Sequence, residues 1–61
     1  MRDPKRIDIV LKELGKFWKQ YPDFRLGQIV ANISRDCGFD ADPFFLEDTE
    51  LLEKLKEYNE D

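Results

Sequence analysis

Histidine is absent from this 61-residue chain, and cysteine occurs once, as Cys37. Without histidine, the side chain that titrates most readily near neutral pH is missing. A single thiol excludes an internal disulfide, and the two shortages together remove the usual soft ligand set for zinc. Long apolar runs are missing too: none exceeds three residues, as in Phe44-Phe45-Leu46, so no segment can span a membrane. A lone thiol with no secretory signal fits a reducing compartment, and the expected location is cytoplasmic.

Little length is available for a core. A chain of this size buries only about 60% of the surface it exposes when unfolded, so one thinly stabilised domain spanning residues 1–61 is expected. Small scaffolds usually need a staple. With disulfides and zinc excluded, helix packing and self-association, for instance as a homodimer, are the supports that remain. Hydrophobic residues nevertheless make up 41% and charged residues 39%. That is enough apolar mass for a core and too much for a typical disordered chain. The net charge of −4 hides an asymmetry: residues 1–35 carry eight Lys or Arg against four Asp or Glu, whereas residues 36–61 carry two against ten. Such a split can mark a basic binding face, or two halves that attract each other when folded, and the second is favoured in so short a chain.

Apolar spacing predicts three helices, about 4–20, 25–37 and 49–59. Asp3 is the expected N-cap of the first, and Pro4 sits where a first turn tolerates proline. Ile7, Val10, Leu11, Leu14, Phe17, Trp18 and Tyr21 recur at three- and four-residue steps, a stripe about 120° wide. Pro22 pushes Tyr21 out of the helical region and closes the helix near Gln20. Asp23 is the expected cap of the second helix, whose stripe is Leu26, Ile29, Val30, Ile33 and Cys37. Gly38 is its left-handed stop. Gly27, Ala31 and Ser34 edge that stripe, and Gly15 flanks the first one. Each helical glycine costs about 1 kcal/mol of propensity, so a close crossing between helices 1 and 2 is expected to offset it.

Gly38 to Pro43 is turn chemistry, and Phe44-Phe45-Leu46 is expected to run extended. Asp48 is the expected cap of the third helix, with Leu51, Leu52, Leu55 and Tyr58 on its apolar face. The fold class expected is all-α, a compact three-helix mini-domain with an aromatic loop before the last helix.

Arg6-Ile7, Val10-Leu11, Leu14, Trp18-Lys19, Pro22-Asp23, Leu26, Gln28, Gly38-Phe39-Asp40, Asp48 and Leu55-Lys56 occur in an order and spacing that resembles the YihD-like family of small uncharacterised bacterial proteins. The resemblance covers roughly residues 5–57. Its most distinctive part is Trp18-x3-Pro22-Asp23-x2-Leu26-x-Gln28 followed by Gly38-Phe39-Asp40, while Asp42-Pro43-Phe44-Phe45 departs from the pattern. The resemblance implies a small helical cytosolic protein and carries over no activity and no functional residue.

Catalysis finds no footing in these residues, and no cofactor is implied. The nucleophile candidates Ser34, Thr49 and Cys37 lack a catalytic setting, and Cys37, on an apolar stripe beside Asp36, reads as a buried, inert thiol. Asp40-x-Asp42 followed by Glu47 and Asp48 resembles a calcium loop only superficially. Phe44, Phe45 and Leu51 stand where an EF-hand needs an oxygen ligand, the glycine and the bidentate glutamate. Lys5, Lys12, Lys16 and Lys19 line the side of helix 1 opposite its stripe, near Arg2 and Arg6. They could track a phosphate backbone, but a solvated face is favoured in a chain of net negative charge. Arg25, Gln28, Asn32 and Arg35 form a polar patch on helix 2, most simply its exterior.

Eight aromatics in 61 residues are harder to place. Phe17, Trp18, Phe24 and Phe39 are assigned to the core. Phe44 and Phe45, adjacent in an extended stretch, should point to opposite sides, one into the core and one outward. Phe44, Phe45 and Tyr58 are therefore the candidate protein interface. The expected function is a non-enzymatic protein–protein interaction domain. Two alternatives stand beside it: a nucleic-acid binder using the lysine face, and an acidic decoy for a basic DNA-handling protein.

Overall fold

Asp3 accepts a hydrogen bond from the Lys5 backbone N–H on its Oδ1 at 2.9 Å and caps α1 (Lys5–Gln20), as the sequence predicts. A computed structural model describes residues 3–40 and 42–60. Arg2, Ala41 and Asp61, on which the basic face, the turn and the fraying end partly drew, lie outside the described residues. At the other end of α1, Tyr21 leaves helical geometry (φ −131°, ψ 66°) immediately before Pro22. The turn that follows is closed by the Phe24 N–H on the Tyr21 carbonyl at 3.1 Å and by the Trp18 indole Nε1–H on the Phe24 carbonyl at 2.8 Å.

Helix α2 (Leu26–Asp36) has its N-cap position at Arg25, two residues beyond the expected cap Asp23. Asp23 stays within the turn, and the extended residue at the helix start is Arg25, whose N–H goes to Gln28 Oε1 at 2.8 Å. A guanidinium cannot accept, so Gln28 alone supplies this side-chain cap. The C-terminus follows the expected glycine stop. Gly38, at φ 92°, donates to the Arg35 carbonyl at 3.0 Å, and Phe39 donates to the Ser34 carbonyl at 2.9 Å, the two bonds of a Schellman motif.

Beyond it, Pro43–Phe45 form a single 3-10 turn rather than an extended run. Asp42 Oδ1 accepts the Phe44 N–H at 3.1 Å, Leu46 N–H closes on the Pro43 carbonyl at 3.1 Å, and Pro43 arrives with its φ already set. Buried Ser34 donates its hydroxyl to the Asp42 carbonyl at 2.8 Å, holding this loop against α2. Helix α3 (Asp48–Asn59) is preceded by extended Glu47, whose carbonyl receives the Leu51 N–H at 3.0 Å. Asp48 is thus one residue inside the helix, and its carboxylate meets Arg6 Nε at 2.7 Å.

The three helices share one small core, and the all-α three-helix class holds. Ile29, Ile33 and Leu55 are fully buried, with Leu14, Phe17, Trp18, Cys37, Leu46, Leu51 and Tyr58 packed around them. The main helix pairing is α1 with α3. The two run parallel: Arg6 meets Asp48 near their starts, and Asn59 reaches the Glu13 carbonyl at 3.0 Å and Gln20 at 3.4 Å near their ends. The expected close crossing of α1 on α2 is not the use of the small residues. A Cβ added at Gly15 or Gly27 would meet nothing within 4 Å, and Ser34 is small because it is buried and hydrogen-bonded. Phe24, expected in the core, is 39% exposed, and the Trp18 indole holds its carbonyl at 2.8 Å.

Candidate protein interface

Phe44 and Phe45 share one environment, and it is outside the core. They are 82% and 64% exposed, with ring centroids 5.0 Å apart in an edge-to-face arrangement at 80°. A 3-10 turn advances each side chain by roughly a third of a turn, so neighbours do not alternate as they would in a strand. The apolar anchor expected of one ring is supplied instead by Leu46, which packs on the core. The rings therefore form an aromatic knob in front of α3. Its flanks are acidic: residues 40–50 contain Asp40, Asp42, Glu47, Asp48 and Glu50 and no Lys or Arg.

Tyr58 does not join them. It lies ten residues into α3, about 15 Å along the helix from the end where the knob sits. Its ring packs on Phe17 at 5.3 Å, and its hydroxyl donates to Asp36 Oδ2. Burial first, then the hydrogen bond to Asp36 and that carboxylate's charge, push the Tyr58 phenol well above its ordinary value. A half-open groove of about 410 Å³ lies here, lined by Phe17, Phe24, Ile29, Ile33, Asp36 and Tyr58 among others. Asn32 and Arg35 border it, and Asn32 Oδ1 accepts from the Arg35 guanidinium at 3.3 Å. The polar patch on α2 is thus divided: Asn32 and Arg35 belong to the groove, Gln28 caps its own helix, and Arg25 stands exposed at the helix start.

Lys5, Lys12, Lys16 and Lys19 are all exposed on α1. Beside them runs a surface that the sequence pattern does not announce. The part of the α1 stripe nearer the lysines is left uncovered, with Ile7 49% and Leu11 58% exposed. Continuing along it, Gly15, Trp18, Lys19 and Pro22 line an open hollow of about 310 Å³. A stripe 120° wide faces two neighbours only if both flank it along its length, and here α3 takes one side while α2 reaches it mainly at the Phe17–Trp18 end.

Cys37 is half-buried, and its thiol is pushed up by burial first and by the nearby Glu50 carboxylate next, the opposite of an activated nucleophile. Among the described residues, no group of three or more Cys, Asp or Glu is placed to hold a metal ion. No helix among them is long and apolar enough to cross a membrane. Comparison of the chain with protein-family models, with curated proteins and with solved structures gives no match.

Proposed function

We propose that this chain is a non-enzymatic protein–protein interaction domain whose contact point is the Phe44–Phe45 knob. The observation that supports it is the 82% and 64% exposure of two aromatic rings packed edge to face on a hydrogen-bonded turn. Exposed rings on a fixed backbone lose little conformational entropy on binding, and aromatic side chains are enriched where interfaces concentrate their energy. The non-enzymatic part rests on the missing histidine and on a thiol held in its protonated form. A cytoplasmic setting, and membership of the YihD-like family with its bacterial origin, belong to the same proposal and rest on the residue patterns that carry them.

Site-specific photo-crosslinking tests the contact point. Phe44 and Phe45 are each replaced by benzoylphenylalanine, with exposed Lys56 of α3 replaced likewise as a control away from the knob. Protein adducts, to this chain or another, should form at 44 and 45 well above the Lys56 control. Equal yields at all three positions would overturn the reading.

A further inference from the structure

We infer that the knob's partner is a second copy of this chain, with Phe44 and Phe45 of one copy seated over Gly15 of the other between Trp18 and Lys19. This deepens the interaction reading above and depends on it. Gly15 lies in the interior of α1, where glycine weakens a helix, and nothing within its own fold approaches it. Its four neighbours on the helix surface are Leu11, Lys12, Trp18 and Lys19, at minus four, minus three, plus three and plus four. Glycine at the centre of that diamond makes it a hole with no knob of its own.

The walls of the hole match the chemistry of the knob. Trp18 and Pro22 line the hollow itself, and exposed Leu11 lies one turn before Gly15 on the same side of the helix as Trp18. Lys12 and Lys19 provide ammonium groups on the other, able to lie over aromatic faces and to meet carboxylates. The knob brings two rings flanked in sequence by Asp40, Asp42, Glu47 and Glu50, while the fifth acid, Asp48, is held by Arg6 at 2.7 Å. The hollow is open and shallow, with the bare backbone of Gly15 as its floor, so a ring would lie across it against Trp18 and Pro22. The charge asymmetry of the chain, basic in residues 1–35 and acidic in 36–61, is complementary between copies in the same sense.

A copy does not fill its own hollow. The hollow is lined by Gly15, Trp18, Lys19 and Pro22, and Phe44 and Phe45 stand exposed outside it. The start of α3, next to the knob, lies beside Arg6 through the 2.7 Å contact with Asp48, nine residues before Gly15 on α1. The contact is therefore assigned to a second molecule.

Sedimentation equilibrium of the full chain over a concentration series, at low and high salt, provides the test. The mass should rise above the 7.3 kDa of one chain with concentration, and the association should weaken as salt is added. Gly15→Leu fills the hole, and Phe44→Ser with Phe45→Ser removes the knob. Each should weaken association at least about tenfold without lowering the melting temperature of the dilute, monomeric chain. An equimolar mixture of the two variants should recover a one-to-one pair, since one retains the knob and the other the hole. If Gly15→Leu unfolds, Lys12→Glu with Lys19→Glu, on an exposed face, supplies the same loss. A native chain that stays at 7.3 kDa to millimolar concentration overturns the second-copy inference and leaves the crosslinking test of the knob standing. Association abolished by the knob variant but untouched by the hole variants overturns the hole alone. Association that survives all of them overturns both the hole and the knob.

Discussion

The Tyr58 hydroxyl donates to the Asp36 carboxylate, tying the last turn of α3 to the last residue of α2. Burial favours the neutral phenol, and the phenol must also keep its proton to make this bond, so its folded-state value is raised above the ordinary 10.0. Above about pH 10 the unfolded chain loses this proton while the folded chain holds it. The unfolded state then binds fewer protons, and stability falls as pH rises through that window. Cys37, raised from 9.0, adds to the fall in the same direction and begins earlier. Urea midpoints measured from pH 8 to 11 should decline along this arm. Tyr58→Phe should flatten its upper part and cost about 1 kcal/mol at neutral pH, the net worth of one hydrogen bond. An unchanged slope in that variant would show that the bond does not persist in solution.

Leu55 is the one α3 residue that is fully buried, and it meets Ile29 and Ile33 of α2. Leu55→Ala should cost about 2–5 kcal/mol, a large part of the total stability of so small a domain. Circular dichroism at 37 °C should show the variant substantially unfolded. A variant that melts like the native chain would mean that the core lies elsewhere.

Gly15 and Gly27 make an opposite prediction. Each has helical backbone geometry, and a Cβ at either would meet nothing within 4 Å. Gly15→Ala and Gly27→Ala should therefore each stabilise by about 0.5–1 kcal/mol, through helix propensity and a less free unfolded chain. Thermal melts of the dilute chain would decide the sign. A loss at either position would restore the close helix crossing that the sequence pattern implied.

Local signals were legible in the sequence because each acts within a few residues. Asp3 before Pro4, Pro22 after Tyr21 and Gly38 after Cys37 mark helix ends through hydrogen bonds and backbone geometry that need no tertiary partner. What depended on neighbours was not legible. Gln28, rather than Asp23, caps α2 because the turn runs on through Phe24. Asp48 could equally have been a cap, and only the parallel placement of α1 brings Arg6 within 2.7 Å of it. Ser34 resembled a small edge residue until the loop folded back to place the Asp42 carbonyl on its hydroxyl. Of the candidate interface, the exposed aromatic loop could be named from composition, whereas Tyr58 was separated from it by the length of α3. The uncovered stretch from Ile7 to Pro22 could not be named, because a helical stripe records which face is apolar and not how far each neighbour extends along it.

The division of labour between Phe44, Phe45 and Leu46 gives the sharpest test of the loop. Alternation along an extended strand would make one phenylalanine indispensable to the core and the other dispensable. The 3-10 turn predicts a different pattern across three positions. Phe44→Ser and Phe45→Ser should each leave stability within about 0.5 kcal/mol, because both rings stand mostly exposed. Leu46→Ala should cost about 1–3 kcal/mol, since Leu46 is the residue of this segment that packs on Ile29, Ile33 and Leu55. Asp42→Ala should fall between them at about 1 kcal/mol, through loss of the cap on the Phe44 N–H. Urea denaturation of the four variants, at a concentration low enough to keep the chain monomeric, reads the intrinsic costs free of any contribution from association. A large loss at either phenylalanine under those conditions would place that ring in the core and remove the knob. Small losses there, together with a large one at Leu46, would leave two aromatic rings that the fold does not need for its own stability.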